Sequence, residues 1–280
     1  MQRSTGSAPS HIVTDLFSSR RKLLIGVVHL RALPGSPRYG GKVEESIRLA
    51  VNDARAYERG GAHALFIENF GDVPFTKANV GPETIAAMAV AGRVVRESVD
   101  LPIGFNVLRN DACAALALCA ACEGSFIRVN VHSGAMLTDQ GLIEGDAYQT
   151  LRYQRRICPN VQIFADVHVK HAATLGDCSL EEAARDTLER GLADTLIVSG
   201  SGTGMAADVS DVQRVREACP KAKILLGSGV TCENVRDFVE MADGFIVGTS
   251  LKVRGKVSNP VDAERVKQLL SAIKKERGSR

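Results

Sequence analysis

The chain has 280 residues, of which 45% are hydrophobic and 24% are charged, the proportions of a folded globular protein rather than a disordered one. Its 35 lysines and arginines against 32 aspartates and glutamates give a net charge of +3, without a long run of either sign. Aromatic residues make up only 5%. Nucleic-acid binding, which needs a basic face or stacking side chains, is therefore not expected.

The sequence predicts no integral membrane segment. The longest run of small apolar residues, 112–122, is about half the roughly 20 residues that a spanning helix needs. The N-terminus lacks the apolar stretch of a secretory signal. Seven cysteines, an odd number in apolar contexts, indicate reduced thiols and a cytoplasmic location. Serine and arginine in the first residues leave an organellar location as the alternative.

Eight short apolar runs alternate with amphipathic segments along the chain. The runs predict buried strands over residues 23–30, 64–69, 103–108, 126–131, 163–168, 195–200, 224–229 and 245–249. The segments between them predict helices over residues 43–59, 81–98, 111–122, 145–157, 179–190, 210–218, 232–241 and 262–277. Cys119 and Cys122, a CxxC pair, are interpreted as core residues on one helix face.

This alternation predicts an α/β protein with a single (β/α)8 TIM barrel. The barrel is expected over residues 22–280, after a flexible leader over residues 1–21. The alternative is an open sheet with a dinucleotide site, since residues 202–207 match GxGxxA. The next strand does not end in the acidic residue that would hold a ribose hydroxyl, which favours the barrel.

Polar residues follow the predicted strands at the edge where barrel enzymes carry their active sites. Glu68 ends the second strand, Arg128 lies in the fourth, and Asp166 and His168 lie two residues apart in the fifth. Because side chains alternate along a strand, Asp166 and His168 are expected on one face. We interpret the set as a catalytic acid–base group, with a structural Arg128–Asp166 ion pair as the alternative.

Further polar residues at the same edge are expected to meet a substrate. Lys170, just past the fifth strand, is a catalytic candidate that would contact a phosphate or form a Schiff base. The candidate substrate-binding residues are His29, Asn69, Asn106, Asn130, Ser199 and Thr203. No organic cofactor is predicted. A divalent metal stays an alternative, with His29, Asp166, His168 and His171 as ligands, although their spacing matches no compact motif.

Glycine-containing turns follow the last two predicted strands. Glycine lets backbone N–H groups approach an anion closely, and loops at this place in a barrel often hold phosphate. We therefore predict a phosphate site, with Lys252 assisting, that is formed by Gly227, Ser228, Gly229, Gly248, Thr249 and Ser250. The alternative is that the glycines serve only to make tight turns.

Taken in order, seven strand-end segments resemble the BtpA/SgcQ family across about residues 22–275. The segments are residues 28–35, 68–75, 106–111, 126–132, 166–172, 227–231 and 247–252. The resemblance implies a ribulose-phosphate-binding barrel, in agreement with the predicted phosphate site. It also implies one of two roles, since some members are associated with photosystem I biogenesis at thylakoid membranes and others are described as nucleosidases or sugar-phosphate enzymes.

Two functions are therefore expected. The first is an enzyme that acts on a phosphorylated sugar or nucleoside-like metabolite by acid–base chemistry. The second is a non-catalytic peripheral factor for biogenesis or stability of photosystem I, associated with a membrane complex. The buried polar set favours the enzyme, because a scaffold has no need of it. A homo-oligomer is compatible with both.

Overall fold

The structure, a computed structural model, describes residues 16–17, 21–77, 79–169, 171–200, 202 and 204–278. In chain order the strands are β1 (Leu23–His29), β2 (Ala64–Glu68), β3 (Ile103–Asn106), β4 (Phe126–Val129), β5 (Ala135–Thr138), β6 (Gly141–Glu144), β7 (Gln162–Val167), β8 (Ala172–Thr174), β9 (Thr195–Val198), β10 (Ile224–Leu226) and β11 (Gly244–Val247). Eight of them close into a parallel barrel in the order β1-β11-β10-β9-β7-β4-β3-β2. The predicted single (β/α)8 barrel is confirmed.

Helices follow most barrel strands and cover the outside of the barrel. They are α1 (Val43–Gly60), α2 (Pro82–Ser98), α3 (Ala112–Cys122), α4 (Ala147–Ile157), α5 (Leu180–Arg185), α6 (Val209–Ala218) and α7 (Ala263–Gly278). A π-helical turn, Asp186–Arg190, continues α5. Short polar side chains start several helices: Asp111 accepts from the Ala114 N–H, and Ser179 and Glu182 form a reciprocal capping box.

The helix predicted over residues 232–241 is wrong. Only a single 3-10 turn, Val235–Asp237, forms there. Asn234 explains the difference, because its side chain accepts from the Thr231 N–H and donates to the Gly229 carbonyl. Side-chain bonds of this kind compete with the helical backbone pattern. They tie this segment to the loop after β10 instead.

The lower half of the barrel interior is apolar and partly aromatic. Phe66 and Phe126 meet edge to face with ring centres 4.8 Å apart, and Phe126 stacks on Phe164 at 5.1 Å. Leu16 is buried with this cluster and Phe17 packs against it, with a ring-centre distance of 6.2 Å to Phe164. Two residues of the predicted leader therefore contact the barrel, while most of the leader lies outside the described residues.

A three-stranded antiparallel sheet, in the order β6-β5-β8, was not predicted. The β5–β6 hairpin follows β4, and β8 follows β7, so the sheet is built from two loops at the barrel mouth. A small apolar cluster of Val131, Met136, Ile143 and Val169 forms around it. The sheet places the hairpin turn at Asp139 beside the cavity of the barrel mouth.

The CxxC pair is part of the core. Cys119 and Cys122 are buried on α3 and carry free thiols. Burial raises the pKa of the Cys119 thiol well above its ordinary value. Both sulfurs lie within hydrogen-bond distance of backbone carbonyls, those of Phe126 and Ala89. The interpretation of the pair as core residues agrees with these contacts.

Within the described part of the chain, every helix is too short or too polar to cross a membrane.

Candidate active site

Polar side chains lie directly above the aromatic layer on the inner face of the barrel. Glu68 on β2, Arg128 on β4 and Asp166 on β7 each follow a buried phenylalanine of the same strand by two residues. Arg128 Nη1 is 3.8 Å from Glu68 Oε1, and Arg128 Nη2 is 2.8 Å from Asp166 Oδ1. The structure thus brings these three predicted residues together.

Asp166 is fully enclosed by donors. Arg128 Nε donates to Oδ2 at 2.8 Å and Arg128 Nη2 donates to Oδ1 at 2.8 Å. Asn130 Nδ2 and Ser199 Oγ donate to the same carboxylate, each at 2.9 Å. The Asp166 side chain is 0% exposed, and four hydrogen bonds use the acceptor positions of a carboxylate. Asp166 therefore serves to hold Arg128, Asn130 and Ser199 in place.

Arg128 carries a fixed positive charge at the centre of the barrel. Burial by itself lowers the pKa of its guanidinium, but the charge and hydrogen bonds of Asp166, together with Glu68, outweigh this and raise it. Arg109 lies nearby and is also buried. Burial lowers the pKa of its guanidinium, although the negative charge of Asp166 acts in the opposite direction. Arginine keeps its proton in proteins, so the pocket faces two cations.

Glu68 is the carboxylate that reaches open space. It lines both central cavities, and its Oε1 accepts from Asn106 Nδ2 at 3.1 Å. His29 Nε2 is 3.9 Å from Glu68 Oε2, which is beyond hydrogen-bond distance. A small movement of either side chain would bring the two atoms into a hydrogen bond. His29 in turn lies against the Phe70 ring at 4.6 Å. Glu68 and His29 thus lie close to each other in the wall of the first cavity.

The first cavity has a volume of about 300 Å³ and opens between the loops after β10 and β11. All six predicted phosphate-binding residues line it, namely Gly227, Ser228, Gly229, Gly248, Thr249 and Ser250. His29, Glu68 and Arg128 line the same cavity. Gly229 has a φ of +68°, and a side chain there would collide with the backbone of Ala206, so glycine is needed.

The serine hydroxyls of this cavity are used by the loops themselves. Ser228 Oγ donates to the Met205 carbonyl at 3.0 Å, and Ser250 Oγ donates to the Val230 carbonyl at 2.6 Å. In the 3-10 turn after β11, the first N–H that donates within the turn is that of Leu251, and its acceptor is the Gly248 carbonyl. The preceding amides of Thr249 and Ser250 are not consumed by that turn.

Lys252 does not reach the first cavity. Its ammonium donates to Asp53 Oδ2 at 2.8 Å, and its side chain is 2% exposed, so it forms a buried ion pair with α1. The assisting role predicted for Lys252 is therefore corrected, because α1 already neutralises its charge. Arg265, at the start of α7, lines the cavity instead and donates from Nε to the Ser250 carbonyl at 2.8 Å.

The second cavity has a volume of about 400 Å³ and adjoins the first, with Glu68, Phe70 and Arg128 in both walls. Its remaining lining is partly apolar and partly polar: Val73, Phe75, Asn106, Leu108, Arg109, Asn130, Asp139 and His171. The two predicted substrate-binding amides, Asn106 and Asn130, therefore meet in one place. These two adjoining cavities are together called the central pocket.

His168 is separated from this pocket. The strand ends at Val167, and His168 has a φ of +51°, so the alternation that predicted a shared face with Asp166 stops one residue early. His168 lines a different cavity with Asp211 and Arg214, and burial lowers its pKa. Asp166 and His168 both line a further cavity of about 120 Å³, which shares only Asn130 with the central pocket, so the expectation that they face one ligand stays a prediction.

Two further predicted substrate contacts have structural partners. Asn69 accepts from the Leu108 N–H at 2.7 Å and donates to Asp72 at 3.2 Å, so its amide joins the loops after β2 and β3. Ser199 is bonded to Asp166 and lines neither central cavity. Lys170 and Thr203 lie outside the described residues.

The proposed metal ligands are dispersed. His29 lines the first cavity and His171 the second, while Asp166 is enclosed by Arg128 and His168 faces another cavity. Among the described residues there is no group of three or more histidine, cysteine, aspartate or glutamate side chains placed to hold a metal ion.

Four residues of the pocket were not among the predicted site residues, namely Arg109, Arg265, Phe70 and Asp139. Arg109 follows the third strand by three residues and stands in a segment that carries the family resemblance, so its position was a usable signal. Arg265 lies 18 positions beyond the end of β11, in a helix whose sequence pattern does not mark it as a site residue. Asp139 enters the pocket only because the unpredicted hairpin folds over the mouth.

Comparison with known proteins places the chain in one family. A protein of Thermococcus kodakarensis is 46% identical over 92% of this chain and 98% of its own length. The photosystem I biogenesis protein BtpA of Synechocystis is 43% identical over 92% and 91%, respectively. A mitochondrial protein of Caenorhabditis elegans is 32% identical over 94% and 96%.

Among solved structures, tryptophan synthase from Mycobacterium tuberculosis superposes with a TM-score of 0.59 at 16% identity, covering 94% of this chain and 98% of that one. Thiamine phosphate pyrophosphorylase from Pyrococcus furiosus gives 0.57 at 16% identity, covering 92% and 99%. These likenesses show the barrel fold. The sequence profile of the BtpA family matches residues 20–275, and the chain belongs to the BtpA family.

Proposed function

We propose that the protein is an enzyme that binds a phosphorylated sugar or nucleoside-like compound and acts on it by acid–base chemistry. One observation carries the proposal: a cavity bordered by both glycine-containing loops also holds an accessible carboxylate, Glu68, next to the buried cation of Arg128. A phosphate at one end of such a cavity would leave the rest of the ligand over the reactive groups.

The phosphate end is the loop pair after β10 and β11. Amides of Thr249 and Ser250 supply donors that the local turn does not use, and the Arg265 guanidinium supplies a positive charge at the cavity wall. Charged donors bind phosphate oxygens about twice as strongly as neutral donors do. A Cβ at Gly229 would meet the Met205 and Ala206 backbone, and a Cβ at Gly248 would meet the His29 ring, so glycine lets both loops close around the cavity.

The reactive end is Glu68 with His29. In this proposal the acid–base role expected of Asp166 and His168 passes to that pair, since Asp166 is enclosed and His168 faces elsewhere. Glu68 takes or gives a proton, His29 is its partner, and Arg128 stabilises negative charge that develops on the ligand. Hydrolysis of a glycosidic C–N bond and proton abstraction beside a carbonyl both suit this arrangement.

The phosphate half of the proposal is tested by calorimetric titration with ribose 5-phosphate, with unphosphorylated ribose as the comparison. Arg265→Gln should weaken ribose 5-phosphate binding by roughly 10- to 100-fold, the effect of losing one charge-assisted contact. Arg254→Gln is the matched control: Arg254 is exposed, lies in the same loop region and is absent from the cavity lining. Equal affinity for ribose and its phosphate would overturn the proposal.

The catalytic half is tested by following nucleoside 5′-monophosphates and ribose 5-phosphate with phosphorus-31 and proton NMR. Glu68→Gln should retain binding and lower turnover by roughly 10²- to 10⁴-fold, the usual worth of acid–base assistance. Turnover that survives this change in a folded protein would remove Glu68 from the chemistry.

A second candidate is a factor in photosystem I biogenesis, favoured by the name of the 43% identical Synechocystis relative. A factor of that kind has no use for a ligand in the barrel mouth. The same titration separates the two candidates, because a non-catalytic factor should bind neither ribose 5-phosphate nor ribose.

A further inference from the structure

Two residues that line the second cavity each carry a buried amide oxygen without a hydrogen-bond partner among the described residues. Oδ1 of Asn106 and Oδ1 of Asn130 have none among the described residues, although each side chain is only 2% exposed. A buried acceptor without a donor costs about 1–3 kcal/mol, which a protein keeps where a ligand supplies the donor. Both residues line the second cavity.

The orientation of each amide is fixed by a carboxylate. Asn106 Nδ2 donates to Glu68 Oε1 at 3.1 Å, and Asn130 Nδ2 donates to Asp166 Oδ2 at 2.9 Å. An ionised carboxylate only accepts hydrogen bonds, so the amino group of each amide must face it. The carbonyl oxygens are thereby directed away from the carboxylates, and neither amide can reverse its orientation without losing a bond.

The other walls of the second cavity suit a flat ring. Phe70, Val73, Phe75 and Leu108 contribute apolar surface, while the two amides lie at the strand ends. If the phosphate of a sugar phosphate occupies the first cavity, its sugar alone would not fill the second cavity, whose volume is about 400 Å³. Apolar side chains beside polar amides suit a heterocycle that carries N–H groups, and Arg109 and Asp139 add one charge of each sign to the same lining.

Resting on the proposed function, we infer that the second cavity is a specificity subsite for a heterocyclic ring with N–H donors, read by Asn106 and Asn130. The ligand class is then a nucleoside 5′-monophosphate. Its phosphate lies at the loops after β10 and β11, its sugar lies over Glu68, and its base lies in the second cavity. Each acceptor oxygen takes one hydrogen bond from the ring.

The experiment is a calorimetric titration of the full chain with ribose 5-phosphate and with the adenosine, guanosine, cytidine and uridine 5′-monophosphates. The measured quantity is the ratio of the best nucleotide affinity to that of ribose 5-phosphate. We expect a ratio of at least about tenfold, from base stacking and two hydrogen bonds. Asn106→Leu and Asn130→Leu should each lower this ratio about threefold to tenfold, with the ribose 5-phosphate affinity of the same variant as the reference.

Asn110→Leu is the matched control. The Asn110 amide is satisfied on both atoms, since it donates to the Val131 carbonyl and accepts from the Val131 N–H, and it lines neither central cavity. This change should lower stability and leave the affinity ratio unaltered. A ratio near one, or a ratio that survives both leucine substitutions, would overturn the inference. If ribose 5-phosphate still binds in those cases, the proposed function stands and only the base subsite is rejected. If neither ribose 5-phosphate nor any nucleotide binds, the proposed function and the subsite are both rejected.

Discussion

Replacing Asp166 by asparagine tests whether a buried ion pair organises the barrel mouth. The wild-type carboxylate accepts four hydrogen bonds, two from Arg128 at 2.8 Å and one each from Asn130 and Ser199 at 2.9 Å. Asparagine has one acceptor oxygen, and an amino group takes the place of the second carboxylate oxygen. That amino group would face N–H or O–H donors, with which it cannot form the original hydrogen bonds. It also removes the charge that compensates Arg128.

The expected cost follows from these contacts. Removing one partner of a buried ion pair usually costs about 3–5 kcal/mol, because the remaining charge is left uncompensated. Glu68 lies 3.8 Å from Arg128 and retains part of the compensation. We therefore expect Asp166→Asn to lower the free energy of unfolding by about 3 kcal/mol, near the lower end of that range.

The assay is urea denaturation followed by circular dichroism. Arg93→Gln is the control, since it breaks the exposed ion pairs with Glu97 and Glu123 and should leave the denaturation midpoint almost unchanged. The double variant Asp166→Leu with Arg128→Met should recover part of the loss, because no unpaired guanidinium remains. A midpoint for Asp166→Asn that matches Arg93→Gln would refute the reasoning.

Three other predictions concern separate parts of the barrel. Burial lowers the pKa of His63 from 6.5 to about 4, so the unfolded chain binds the proton first as the pH falls. The free energy of unfolding should therefore drop by up to about 2 kcal/mol between pH 7 and pH 4. In urea denaturation, His63→Asn should make the free energy of unfolding depend less on pH. Gly229→Ala should destabilise the chain by more than about 1 kcal/mol in the same assay, because φ is positive there. Lys252→Met should cost about 3–5 kcal/mol by stranding Asp53, yet calorimetry should show unchanged ribose 5-phosphate affinity; a weakened affinity would return Lys252 to the phosphate site.

Local patterns in the sequence predicted the barrel strands well because each is apolar on both faces and ends in polar residues. The same alternation correctly placed Glu68, Arg128 and Asp166 on the inner face. At His168 the backbone leaves the strand with a positive φ, and this side chain lines cavities other than the central pocket. A turn of this kind depends on how the following loop packs, and histidine carries no local signal for it.

Contacts between distant residues account for the other failures. Lys252 pairs with Asp53, 199 positions away, and no local pattern links the two. The hairpin that brings Asp139 to the pocket consists of two four-residue strands with exposed leucines, Leu137 and Leu142. Short strands without clear alternation are not distinguished from loops by periodicity.

The most direct test of the account is a crystal structure of the protein with ribose 5-phosphate. The account predicts phosphate oxygens within hydrogen-bond distance of the Thr249 and Ser250 amides and near the Arg265 guanidinium, with the sugar facing Glu68. A phosphate bound elsewhere on the barrel, or a mouth that stays empty at saturating ligand, would contradict it.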